Sequence, residues 1–115
     1  MTEADFDEKK LGGNISLVNF KLSPMEMIVV KKLVGNYARK LADKVGYKEL
    51  KLRLKQHEHG KSFLNELTAE VILLKDREGG EEIILSSSMQ DYNLYSALAS
   101  VMEKLLNEAE TKLKI

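Results

Sequence analysis

Leu50-Lys51-Leu52-Arg53-Leu54-Lys55 alternates without a break between leucine and a basic residue. A strand turns successive side chains to opposite faces. A period of two therefore puts the three leucines against a core and Lys51, Arg53 and Lys55 together on the other face. The stretch predicts a strand over Tyr47 to Gln56, in a sheet with one buried side and one charged side. Downstream, His57 to Lys61 reads as a polar loop. Asn65 to Lys75 is expected as the next strand, with Leu67, Ala69, Val71 and Leu73 on one face. Asp76-Arg77-Glu78-Gly79-Gly80 is a turn signal that predicts a hairpin into a further strand over Glu81 to Ser87.

Upstream, Ser23-Pro24-Met25-Glu26 is a helix start with a mechanism. Ser23 can accept from a free backbone N–H, and Glu26 can reach back to the cap. Pro24 sits at the first helical position, where it has no hydrogen bond to lose. The helix is expected to run to about Val45, with Gly46 as a left-handed stop. Met27, Val30, Val34, Tyr37, Ala38, Leu41 and Val45 recur at three- and four-residue spacing and form its apolar stripe. Lys32, Asn36, Arg39 and Lys40 fall on the opposite side. Gly35 weakens this helix, and nothing in the sequence accounts for it.

Before the helix, Asn14 to Lys21 predicts a short strand with Ile15, Leu17 and Phe20 as its apolar members. At the other end, a helix is expected from about Asp91 to Lys112, with Ser88 and Asp91 as a second capping-box pattern. Tyr95, Leu98, Met102, Leu105 and Ala109 form its stripe, widened by Leu94, Val101 and Leu113. The order is β-α-β-β-β-α. This predicts an α+β fold in which a four-stranded sheet carries two helices on one face. Residues 1–13 read as a flexible acidic tail ending in Gly12-Gly13, and residues 14–115 as a single domain.

A chain of 115 residues with 43% hydrophobic and 31% charged residues is too apolar for a disordered segment and long enough to bury a core. The absence of cysteine excludes disulfides, a thiol nucleophile and Cys-based metal sites. The longest aliphatic runs, Met27 to Val30 and Val71 to Leu74, are far short of the ~20 residues that span a bilayer. The N-terminus is acidic where a secretion signal would be basic and then apolar. A cytoplasmic protein without membrane contact is the expectation. Ser86-Ser87-Ser88 lacks the surroundings of a nucleophile elbow and reads as a strand end leading into a helix cap. His57-Glu58-His59 offers two imidazoles without a spaced third ligand. Gly12-Gly13 and Gly79-Gly80 fit no phosphate-loop pattern and read as a linker and a hairpin turn. No enzyme, metal or cofactor is expected.

The formal net charge is zero, from 18 basic and 18 acidic residues, which on its face argues against nucleic acid. The distribution argues otherwise. Lys21 to Lys61 holds 11 basic residues against 4 acidic ones, whereas 1–20 is net −2 and 62–115 is net −5. A basic block of this kind is the footprint of phosphate contact, with affinity expected to fall as salt rises. Candidate RNA contacts are Lys32, Arg39, Lys40, Lys51, Arg53, Lys55 and Lys61, reading backbone and shape rather than bases. On the sheet face away from the helices, Ile72, Leu74 and Ile84 make a candidate homodimer interface.

Asp91-Tyr92-Asn93-Leu94-Tyr95-Ser96-Ala97-Leu98, followed by Met102-Glu103-Lys104-Leu105, resembles the last helix of the ribosome hibernation-promoting factors, also called ribosome-associated translation inhibitors. Tyr95, Ala97, Leu98, Lys104 and Leu105 fall on that pattern. Ser23-Pro24 and the positions of Val30, Lys32, Val34, Tyr37 and Arg39 resemble the family's first helix. The resemblance spans about residues 14 to 113. It implies a domain like a double-stranded-RNA-binding module. It also implies binding to small-subunit rRNA in the mRNA and tRNA channel, and inhibition of translation when growth slows. Lys32, Arg39 and Lys104 would inherit RNA contact. Asn107-Glu108-Ala109-Glu110 is acidic where the family is basic. The family's longer members carry a second domain for dimerising ribosomes, so pairing of ribosomes by this chain would need its own homodimer. The alternative is a homodimeric protein-interaction module that does not bind RNA.

Overall fold

The structure is a computed structural model that describes residues 8–74 and 81–113. The first seven residues of the expected tail and the expected Asp76–Gly80 turn lie outside the described residues. In chain order the elements are β1 (Glu8–Gly12), β2 (Ile15–Val18), α1 (Pro24–Lys44), β3 (Gly46–His59), β4 (Ser62–Leu74), β5 (Glu82–Asp91) and α2 (Leu94–Leu113). The sheet is mixed and has the order β1-β2-β3-β4-β5. Only β2 and β3 run parallel, joined through α1; the other neighbours are antiparallel.

The α+β class and the two helices agree with the sequence, but the sheet has five strands rather than four. The additional strand comes from residues expected in the tail. Glu8 to Gly12 pairs antiparallel with β2, so Gly12 ends β1 and Gly13-Asn14 is the turn, rather than the two glycines being a linker. Gly12 at φ +92° and Gly13 at φ +59° occupy the left-handed region that glycine enters without strain. The Tyr47 hydroxyl donates to the Gly13 carbonyl at 2.7 Å and ties this turn to the start of β3.

The core lies between one sheet face and both helices. Leu17, Leu50, Leu52, Leu67, Val71 and Leu73 meet Val30, Val34 and Leu41 of α1 and Leu98, Val101, Met102 and Leu105 of α2 in one buried cluster. Burying a leucine fully is worth about 1.5–3 kcal/mol, so this cluster is the main source of stability. All four residues of β2 are buried, which is why its sequence shows no clean alternation.

Three local expectations are corrected. Val45 is the extended C-cap of α1, and Gly46 begins β3 instead of forming a left-handed stop. His57 and His59 belong to β3, because the β3–β4 connection is only Gly60-Lys61. Gly60 at φ +63° matches a two-residue hairpin with glycine at the first central position. Ser88 lies inside β5, so α2 is capped by Asn93 instead, whose side chain accepts from the Ser96 N–H at 2.9 Å. The first capping box forms as read. The Ser23 hydroxyl accepts from the Glu26 N–H at 3.2 Å, and the Glu26 carboxylate accepts from the Ser23 N–H at 3.0 Å.

Candidate nucleic-acid interface

The candidate basic residues fall in three places. Lys32, Arg39 and Lys40 are exposed on the solvent side of α1, and Lys104 is exposed on α2, in the same helical layer. Lys51, Arg53 and Lys55 lie on the open sheet face, across the sheet from the helices, because their leucine neighbours fill the core. Lys61 is in the β3–β4 turn. No single flat surface reaches all of them.

The two faces differ in how their charge is balanced. On the open sheet face, the register sets Lys51 beside Glu70, Arg53 beside Thr68 and Lys55 beside Glu66. Directly opposed unlike charges attract, so β4 offsets much of the potential of β3. A Glu66 carboxylate oxygen lies 2.9 Å from His57 Nε2 and accepts from the imidazole when that nitrogen carries its proton. That contact holds the Glu66 carboxyl below the usual carboxylate range.

On α1, Lys31, Lys32 and Arg39 form no ion pair among the described residues. Lys40 lies 4.9 Å above the Tyr37 ring, a cation–π geometry. The Tyr37 hydroxyl donates to Glu103 at 2.9 Å, and desolvation followed by this carboxylate raises its pKa. Lys44 is paired with Glu110 of α2, which locks the helices together and removes that lysine from the free set. The exposed side of α1 thus carries Lys31, Lys32 and Arg39 without an ion pair among the described residues, with Asp43 one helical turn from Arg39. Glu110 of the acidic Asn107–Glu110 segment is the partner of Lys44.

The interface residues proposed for self-association also share a face. Ile72 and Ile84 are register partners on β4 and β5, and Leu74 pairs with Glu82 at the sheet's end. Ile84 is 63% exposed, while Ile72 and Leu74 are half-buried.

Sequence reasoning missed a groove of about 410 Å³ where the β3–β4 hairpin meets the β5–α2 connection and the first turn of α1. Gln56, Lys61, Phe63, Asn65, Tyr92 and Tyr95 contribute to its walls. Asn65 is its buried anchor. It accepts from Gln56 Nε2 at 2.8 Å and donates to the carbonyls of Asp91 and Tyr92 at 3.2 and 3.0 Å. Reading Gly60-Lys61 as a two-residue turn would have brought Phe63 to the hairpin end and set Glu66 and Glu70 beside the lysines. Among the described residues, no cluster of His, Asp and Glu is arranged to hold a metal ion. Nor, among them, is any helix long and apolar enough to cross a membrane.

No family model matches the chain, and no curated protein matches it. Among solved structures, its fold is similar to that of the Protein Y N-terminal domain from Thermus thermophilus. The TM-score is 0.53 at 16% identity, covering 84% of this chain and 91% of that one. At that identity the likeness is one of fold.

Proposed function

We propose that this chain is a non-catalytic, cytoplasmic ribosome-associated factor. It binds small-subunit rRNA and holds the ribosome in a translationally inactive state. The observation that carries the reading is the exposed side of α1. There Lys31, Lys32 and Arg39 stand without ion pairs among the described residues, on a fold similar to that of a Protein Y domain. The sequence resemblance to the hibernation-promoting factors supports the same direction, including the implied likeness to double-stranded-RNA-binding modules. In this reading α1 carries the main phosphate contacts, and Lys104 of α2 adds to them from the same helical layer. Lys51, Arg53 and Lys55 contribute less because Glu66 and Glu70 face two of them.

Paired charge reversals test the division. Lys32→Glu with Arg39→Glu should abolish binding to purified small subunits at low salt. Lys51→Glu with Arg53→Glu should weaken it less. Equal effects of the two pairs would refute the assignment to α1.

A second reading, a homodimeric interaction module without RNA binding, is favoured by the Ile72–Ile84 pair on the open face. Under that reading Ile84→Lys should dissociate the dimer in analytical ultracentrifugation, while the α1 reversals leave it intact.

A further inference from the structure

Two of the large aromatic rings of this protein are left in solvent at one place. Phe63 is 51% exposed and Tyr92 is 58% exposed, and both line the groove at the hairpin end. They come from segments far apart in sequence, so the fold brings them together. Neither ring is needed by the core cluster.

Tyr92 is held in place from two sides. Its carbonyl accepts from the buried Asn65 side chain, and its ring meets His59 edge-on, with centroids 6.1 Å apart and planes at 76°. A ring fixed in this way offers a face to a ligand at little further entropic cost. Lys61, exposed in the turn, lines the same groove and forms no ion pair among the described residues. Glu58 is the cross-strand neighbour of Phe63, and two further carboxylates by the groove are turned to their own backbone. Glu26 accepts from the Ser23 N–H, and Asp91 accepts from the Asn93 N–H at 2.9 Å.

We propose that this groove takes one unpaired nucleotide of an RNA strand. The base stacks on Phe63 and Tyr92, its polar edge meets the amides of Gln56 and Asn93, and its phosphate lies against Lys61. The proposal rests on the RNA-binding reading and deepens it, because it assigns a single-stranded contact in addition to the α1 surface. The ligand class follows from the combination of walls. An apolar side chain of a protein partner would satisfy the rings but leave amides against carbon. A nucleobase has a stacking face and a hydrogen-bonding edge in one rigid plane. The groove volume lies in the range of small-ligand sites.

The test uses the full chain and two labelled RNAs of equal length, a single-stranded oligoadenylate and a duplex, with fluorescence anisotropy as the readout. Purified small subunits are assayed in parallel by co-sedimentation. Wild type should bind the single strand, and Phe63→Leu and Tyr92→Leu should each weaken that binding about 5- to 150-fold, the range for loss of one stacking contact. Both variants should bind the duplex as wild type does. Amide chemical-shift changes on adding adenosine monophosphate should map to the groove and vanish in Tyr92→Leu, whose otherwise wild-type spectrum and retained duplex binding separate loss of the site from misfolding. Unchanged single-strand affinity in both variants would overturn the groove assignment while leaving the α1 surface intact. Failure of wild type to bind small subunits would instead overturn the reading on which the proposal rests.

Discussion

Replacing Asn65 should separate the hydrogen-bonding role of this buried amide from its volume. The side chain is only 3% exposed and makes three hydrogen bonds. Two of them hold the carbonyls of Asp91 and Tyr92, so they fix the path of the chain from β5 into α2. Asn65→Leu keeps the bulk and removes all three bonds. Each bond is worth about 1 kcal/mol net, and a carbonyl left buried without a partner costs about 1–3 kcal/mol. The Gln56 amide is exposed and can turn to water. The expected loss is therefore about 2–4 kcal/mol. Asn65→Asp is expected to do at least as much damage at neutral pH, since it presents a carboxylate to two carbonyl oxygens. That variant should recover part of the loss at acid pH, where a protonated carboxyl can donate one bond. Urea unfolding followed by circular dichroism at pH 7 and near pH 4.5 measures both effects. Asn65→Leu within ~0.5 kcal/mol of wild type would refute the role assigned to these bonds, that being about the size of an ordinary surface substitution.

Three other outcomes follow from single positions. Gly35 lies inside α1 without a positive φ, and a Cβ there would meet nothing within 4 Å. Gly35→Ala should thus stabilise the protein by about 0.5–1 kcal/mol, raising Tm by about 2–5 °C in calorimetry, and a fall in Tm would contradict it. Ser23→Ala removes the cap of α1 and should cost about 1 kcal/mol by denaturant titration; no loss would mean that the capping box is not formed in solution. The Glu66 carboxyl is held low by His57. A carboxyl whose folded pKa lies below its unfolded one stabilises the fold above the unfolded value, and that contribution disappears as pH falls through the folded value. His57→Ala should shift the Glu66 midpoint upward in an NMR titration and flatten the acid-side loss of stability, whereas an unmoved midpoint would exclude the contact as the cause.

The sheet's central strands and both helices were legible because each has a single buried face. Period two in β3 and β4, and the three- and four-residue spacing of α1, are direct consequences of one-sided burial. β2 is legible as a strand, but burial on both faces removes its alternation and blurs its ends. β1 hid altogether, since its five residues EKKLG carry three charges and its pairing depends on a glycine turn rather than on an apolar pattern. The α2 cap was misplaced for a related reason. Ser88 and Asp91 have cap chemistry, but the antiparallel ladder with β4 keeps both in β5, and a local signal gives way to tertiary pairing. The split of the basic residues between the outer side of α1 and the open sheet face follows from periodicity alone, whereas the acids that oppose two of them depend on the register set by Gly60-Lys61.

The claim that α1 presents this protein to ribosomal RNA is tested most directly by co-sedimentation of the full chain with purified small subunits across a salt series. The account predicts binding at low salt, with log K falling linearly as log salt rises, because each phosphate contact releases counterions. It also predicts a slope shallower by about 0.7–0.9 for each contact removed when Lys32 or Arg39 is replaced by alanine. No co-migration at low salt, or an affinity and slope unmoved by those replacements, would contradict it.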